Sequence, residues 1–346
     1  MPRSLHPRAR AWVTVVAFAT FVVSGFFPVR AAAGGDTVSA KEVPKLIKVL
    51  AHGIPHAAFF GISFDGGRGV AVGAGGAIDE SSDAGATWRP VPHGLTELAL
   101  LSVDRRGTHT IAVGQLGVVL LEEAPGKWIK IDTGDEARLF SVSVNRGGLA
   151  VAVGEFGKVL KSEDGGRTWA PAAPDWSAFA DQDSFGTGEP NMYSAHVSES
   201  GEITIAGEFG AMLRSTDRAA TWQVLRPVKP GAATIFAMHL VPAGQGASFA
   251  VGQEGEMLHS SDGGLSWAGC EMPVKSNFLG VAAAPDGHVV VTGMRVMLRS
   301  QNAGMSWEAV EEGDTTTDWY QAVRTESSSG HIIAVGHSGR IIQIGS

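Results

Sequence analysis

The sequence holds a single cysteine, Cys270, in 346 residues. An internal disulfide is therefore excluded, and stability must come from packing. With no cysteine pair, no CxxC and no His/Cys cluster, a structural zinc site is not expected. Charge is sparse: 18% of residues are Asp, Glu, Lys or Arg, and the formal net charge is −8. The first 33 residues contain Arg3, Arg8, Arg10 and Arg30 and no acid, so the remainder carries about −12. Such a chain lacks the basic footprint of a general nucleic-acid binder. Tyrosine is scarce, with only Tyr193 and Tyr320. No segment of the body repeats its apolar residues with a helical period of 3.6. Glycine is plentiful instead, with 46 residues set between short β-branched runs. That composition suits many short strands joined by tight turns.

Residues 1–33 have the form of a secretory signal peptide. Arg3, Arg8 and Arg10 make a positive start, Ala11 to Phe27 an apolar run, and Ala31-Ala32-Ala33 a small-residue cleavage site. Cleavage after Ala33 is expected, with retention as an anchor the alternative because the run approaches spanning length. Either way the remaining chain is expected to be periplasmic or secreted.

From Thr37 onward the chain repeats. A strand ending in glycine recurs as VAVG at 70–73, IAVG at 111–114, VAVG at 151–154, TIAG at 204–207, FAVG at 249–252, VVTG at 290–293 and IAVG at 333–336. A tryptophan follows at Trp88, Trp128, Trp169, Trp222, Trp267 and Trp307. Both series step by 40 to 45 residues, except for one step of 53. That period, without helical periodicity, predicts a β-propeller of four-stranded blades. An earlier strand in each unit brings the count to seven, beginning with FFGISF at 59–64 and ending with WYQAV at 319–323. The seventh unit lacks a fourth strand. Pro44 to Leu50, which precedes the first unit, is expected to supply it and close the ring, removing exposed sheet edges. Residues 34–346 thus read as one seven-bladed propeller.

Val151 to Trp169 shows the unit in full. Gly154 and Gly157 bracket its first turn, where a positive φ is expected. The second turn is Ser162-x-Asp164-x-Gly166-x-Thr168-Trp169, whose short polar side chains can bond the turn's own N–H groups. It recurs at Ser81 to Trp88, Ser215 to Trp222, Ser260 to Trp267 and Ser300 to Trp307. These residues match the Asp-box, or BNR repeat. The fuller pattern, AVG-[E/Q]-x-G-x-[V/M]-L-x-S-x-D-G-G-x-[T/S]-W behind an exported leader, resembles the photosystem II assembly and stability factors of cyanobacteria and chloroplasts and their relatives in other bacteria. The resemblance covers nearly all of residues 37–346. It implies a seven-bladed propeller outside the cytoplasmic membrane, or in the thylakoid lumen of a phototroph. It also implies a non-catalytic, monomeric role without cofactor or metal: binding a new membrane-protein subunit, or its exported segment, to assist complex assembly. A basic patch is implicated in that contact. Within this resemblance the Asp-box itself is a hairpin-stabilising turn.

Candidate partner-binding residues lie where the repeats differ. The residue before the repeated serine is Lys161, Arg214, His259 and Arg299 in units three to six, but Glu80 and Glu122 in units one and two. The four would form a basic arc able to hold an acidic segment or a carboxylate. On the opposite rim, the turn after each strand-plus-glycine carries Gln115, Glu155, Glu208, Gln253, Arg295 and His337. The 53-residue step places an insertion in 170–191, with Trp176, Phe179, Asp181, Asp183 and Phe185 beside that rim. The alternative function is an Asp-box glycoside hydrolase or carbohydrate-binding propeller, with Glu155 and Glu208 as a carboxylate pair. Against a sialidase stand the absence of an Arg-Ile-Pro motif and tyrosines confined to inner strands. The histidines, among them His196 and His239, read as scattered.

Overall fold

The computed structural model describes residues 45–179 and 189–345. Residues 1–44, on which the expected signal peptide falls, Ala180 to Gly188, which include the candidates Asp181, Asp183 and Phe185, and residue 346 lie outside the described residues. Seven four-stranded antiparallel sheets are present. They follow chain order, with inner strands at Phe59–Asp65, Leu100–Arg106, Leu139–Val144, Met192–Val197, Ile235–His239, Phe278–Ala283 and Tyr320–Thr325. The seventh sheet is completed by Ile47–Ala51, which pairs with Ile341–Ile344. The ends are further tied by Gly345 N donating to Leu46 O at 2.7 Å and Leu46 N to Glu312 Oε2 at 2.7 Å. Among the described residues no helix is long and apolar enough to cross a membrane.

The blades form because their second strands are apolar on both faces. Ala150–Gly154 and its counterparts are buried along their whole length, packed between neighbouring sheets. The glycine ending each second strand is needed for close approach. A Cβ on Gly154 would lie 2.1 Å from Arg138 O, and one on Gly114 would lie 2.1 Å from Ala99 O. Gly154 is not among the positive-φ residues; the left-handed backbone of this turn lies at Phe156 and Gly157, φ 52° and 64°. Loops between blades and turns after the second strand share one face, here the loop face. The repeated serine–aspartate turns and the first hairpins share the other, the turn face, where Gly165 N donates to Gly148 O at 2.9 Å.

Each inner strand carries a β-bulge at its second residue. The pairing skips Phe60, Leu101, Phe140, Tyr193, Phe236, Leu279 and Gln321. The bulge turns these side chains to the channel mouth on the loop face. Further along, inner strands are stitched across blades by side chains. Ser63 Oγ accepts from Arg105 N at 3.1 Å, Asp104 Oδ2 from Val144 N at 3.0 Å, and Ser143 Oγ from Val197 N at 3.0 Å. These bonds satisfy N–H groups that a strand lining a channel would otherwise leave unpaired.

The same register position is His196, His239, Ala282 and Arg324 in blades four to seven. Burial, then Arg106, pulls the His196 imidazole down to about 4, and burial with Arg324 does the same to His239. Asp104 opposes the shift at His196, while Arg324 and Arg214 add to it.

Two expectations follow. Deleting 45–51 should lower the melting temperature of the whole ring, and Ile47→Ala alone should cost about 2 kcal/mol in denaturant unfolding; an unchanged midpoint contradicts the closing pair. Folded imidazoles that resist protonation bind fewer protons than the unfolded chain between pH 6.5 and 4. Stability is therefore full above the unfolded value and lost as pH falls through that window, by about 3 kcal/mol per imidazole. A pH series of urea melts on His196→Asn/His239→Asn should show a flatter slope there; a slope equal to the parent's contradicts the assignment.

Candidate functional site

The repeated turn is chemically closed. Ser162 Oγ donates to Asp164 Oδ1 at 2.8 Å and accepts from Gly166 N at 2.9 Å. Asp164 accepts from Thr168 N at 2.9 Å and Thr168 Oγ1 at 2.6 Å, and Trp169 Nε1 donates to Gly166 O at 3.0 Å. Ser81 to Trp88 and Ser260 to Trp267 repeat the pattern. Thr87 and Thr221 hold the Asp83 and Asp217 carboxyls down at about 2. These acids fasten hairpins.

The four residues of the expected basic arc occupy equivalent third-strand positions, but they do not form an open cationic surface. Lys161 pairs with Glu163 at 3.2 Å, Arg214 with Glu202 at 2.7 Å, and Arg299 with Glu308 at 2.6 Å. Arg214 is only 12% exposed and also donates to Gly263 O in the next blade. His259 packs against the Phe249 ring, with centroids 5.6 Å apart. In blades one and two the same position explains the inverted charge. Glu122 takes the fully buried Arg105 at 2.9 Å and Arg68 at 3.1 Å, while Glu80 accepts from Trp128 Nε1 at 3.3 Å. Burial, reinforced by Glu122, pushes the Glu80 carboxyl up. The position joins neighbouring strands and blades by ion pairs, with either sign.

The rim residues on the loop face are also engaged. Gln115 Oε1 accepts from Ala99 N at 3.0 Å, and Glu155 Oε1 from Arg138 N at 2.9 Å. Glu208 accepts from Asn191 N at 2.8 Å and Asn191 Nδ2 at 3.0 Å. Each caps the loop entering its own blade. Glu155 and Glu208 are therefore not a free carboxylate pair. Gln253 takes the equivalent backbone position, its N–H bonded to Thr234 O. Arg295 does not: the blade-six turn is one residue shorter, Met294 N bonds Asn277 O, and Arg295 becomes the exposed apex at φ 57°. Trp176 is buried and donates to Gly157 O at 3.0 Å, anchoring the insertion. Phe179 packs against the same core.

His337 enters a cluster that spacing did not reveal. Asp314 accepts from Tyr320 OH at 2.8 Å, meets His337 Nε2 at 2.8 Å, and pairs with Arg340. Asp318 lies 3.5 Å from His337 Nδ1. Asp314, Asp318 and His337 bring ligand atoms within 4.8 Å of one another. The Arg340 guanidinium already supplies the positive charge on Asp314, so the cluster is built as an ion network. Burial and the Asp314 contact raise the Tyr320 phenol, which opposes a nucleophilic role.

Two features of the molecule remain uncommitted to such duties. On the loop face, Leu116 and Phe156 stand 64% and 69% exposed at turn apices with left-handed backbone, φ 48° and 52°. Blade one places Gly75 at this apex. On the same face the channel mouth sets Phe140 tilted against Tyr193, centroids 4.8 Å apart, and Tyr193 edge-on to Phe236 at 5.4 Å. Near the turn face, His196, His239 and Arg324 share one level of the channel. Aligning the repeats puts these three at one position; strand alternation alone misassigns the face they take, because a bulge shifts parity ahead of each.

No family model matches the chain, and no curated protein does. Solved structures do. YCF48 bound to D1 peptide is 18% identical, with a TM-score of 0.65, over 87% of this chain and 97% of that one. YCF48 from Cyanidioschyzon merolae is 18% identical, with a TM-score of 0.67, over 87% and 98%. The GH74 xyloglucanase from Xanthomonas campestris is 15% identical, with a TM-score of 0.64, over 86% of this chain and 53% of the enzyme. At these identities the likeness establishes the seven-bladed fold that assembly factors and glycoside hydrolases share.

Proposed function

We propose that this protein is an exported, non-catalytic scaffold that holds a segment of a membrane-protein subunit on its loop face during complex assembly. The observation that carries this reading is the pair Leu116 and Phe156. A bulky residue in the left-handed region costs about 1–2 kcal/mol, and an exposed side chain of that size recovers nothing by burial. Glycine or asparagine would make the same turn more easily. Two adjacent blades nonetheless place large apolar groups there, on the face that also carries the aromatic mouth. An apolar, strained and exposed feature repeated on neighbouring blades fits a protein-binding site. Catalysis by the rim acids is disfavoured because Glu155 Oε1 and both oxygens of Glu208 are held by N–H groups of the entering loops. The YCF48 structure with a bound D1 peptide supports the kind of partner, a segment of a membrane protein.

Affinity capture from detergent-solubilised membranes of the source cell tests this. The tagged parent should recover a specific membrane protein. Leu116→Asn/Phe156→Asn should reduce recovery at least tenfold while raising stability by about 1 kcal/mol per site, as strain is relieved. Undiminished recovery by this variant, or turnover of xyloglucan oligosaccharides by the parent, contradicts the proposal.

A further inference from the structure

The channel near the turn face holds an arrangement that the loop-face reading does not use. Every other arginine among the described residues is either exposed or lies within 4.0 Å of a carboxylate. Arg324 is neither. It is part-buried, and its recorded hydrogen bond is from Nη1 to Val323 O at 2.9 Å. Taking a guanidinium partly out of water with no carboxylate in contact carries a cost. Asp104, the carboxylate of the same level, is already taken. It accepts from Ser63 Oγ at 2.9 Å, Arg105 N at 3.0 Å, Val144 N at 3.0 Å and Ser143 Oγ at 3.3 Å, and pairs with Arg106 at 3.3 Å. Neither His196 nor His239 makes a side-chain hydrogen bond among the described residues, although each carries an N–H able to donate.

Arg324 lines the central channel itself, and the other three groups are reached from the turn face. A groove of about 540 Å³ between blades four and five runs from Leu265 and Arg214 down to His196 and Arg106. Its carboxylates are already engaged: Glu199 pairs with Arg146, Glu202 with Arg214, and Asp262 accepts within its own turn. A second, of about 310 Å³, lies between blades five and six and ends on His239 and Thr325. Both open on the turn face. The charge at the level sums simply. Two guanidiniums face one carboxylate, and the imidazoles are neutral donors. One unit of positive charge is left, on inner strands that carry His196, His239 and Arg324 at one register position.

We propose that Arg324, Arg106, His196 and His239 form an anion site in the channel that takes a single carboxylate, entering from the turn face. The guanidinium of Arg324 supplies the fork that matches a planar carboxylate, and the imidazoles supply neutral donors that tolerate burial. A monoanion balances the level; a dianion would overcharge it. The carboxylate belongs either to a small free acid or to the C-terminus of a peptide lying in the groove, and these share the same recognition.

Nitrogen-15 NMR of the full chain, reading the Arg324 Nε–Hε resonance, tests the site with three probes: acetate, trialanine with a free carboxylate, and trialanine amide. Saturable movement with acetate and with trialanine, but not with the amide, is expected. Movement with acetate alone assigns the site to a free acid and also supports it. His239→Asn should weaken acetate binding at least fivefold and Arg324→Lys at least tenfold, whereas Arg138→Gln, an exposed arginine on the loop face, should leave it unchanged. For Arg324→Lys the readout is the His196 and His239 ring resonances, with the amide spectrum confirming the fold. The absence of saturable movement with any probe, equal response to trialanine and its amide, or acetate affinity unchanged in both channel variants overturns the proposal.

Discussion

Closure of the ring is the constraint on which the rest depends. Seven twisted sheets around an axis meet only if the last sheet takes its outer strand from the start of the chain, as Ile47–Ala51 does beside Ile341–Ile344. Closure leaves each blade the same register against its neighbours. That register lets Ser63 of one inner strand cap Arg105 N of the next, and Asp104 cap Val144 N beyond it. It also brings residues from distant parts of the sequence to one height in the channel. Without closure, His196 and Arg324 would be unrelated positions on the chain.

The polar groups most suggestive of chemistry are largely consumed by this architecture. The serine–aspartate turns bind their own backbone, the rim carboxylates cap entering loops, and the third-strand cations pair with acids nearby. A propeller has many short turns and few helices to satisfy them, so side chains do the work that secondary structure does elsewhere. Acidic or basic character at a rim is therefore weak evidence for a site in this fold. Exceptions to the pattern are better evidence: an apolar residue where glycine suffices, or a guanidinium without its acid.

Much of the fold was legible because a repeat reports itself. The glycine-ended strands, the tryptophans and the missing fourth strand of the last unit led to seven blades and to closure by the N-terminal segment. The pairings were not legible. Glu202 lies on the strand beside Arg214, and Glu308 on the one beside Arg299; sequence marks such acids only as exposed polar residues. Arg295 seemed equivalent to Gln115, yet the blade-six turn is shorter by one residue and moves it to the apex. Trp176 suggested a binding aromatic, but its indole N–H is fixed on Gly157 O. The equivalence of His196, His239 and Arg324 is legible by aligning the repeats, but not that they face the channel, because the bulge ahead of each breaks simple alternation.

The ring is not uniform in how it is held. Serine and aspartate side chains stitch the inner strands from blade one through blade four. Past that point the equivalent positions are His196, His239, Ala282 and Arg324, and among the described residues the cross-blade side-chain bonds of the inner strands thin to Thr325 Oγ1 on Ala283 O, with others at the periphery, such as Arg214 on Gly263 O. The insertion anchored by Trp176 falls one blade earlier, between blades three and four. A stitched inner strand satisfies its N–H groups but leaves no donor for a ligand. An unstitched one keeps donors available at a cost in stability, and the low imidazole values are one form of that cost. The two halves thus solve opposite problems: the first fixes the geometry of the ring, and the second leaves groups in the channel unspent.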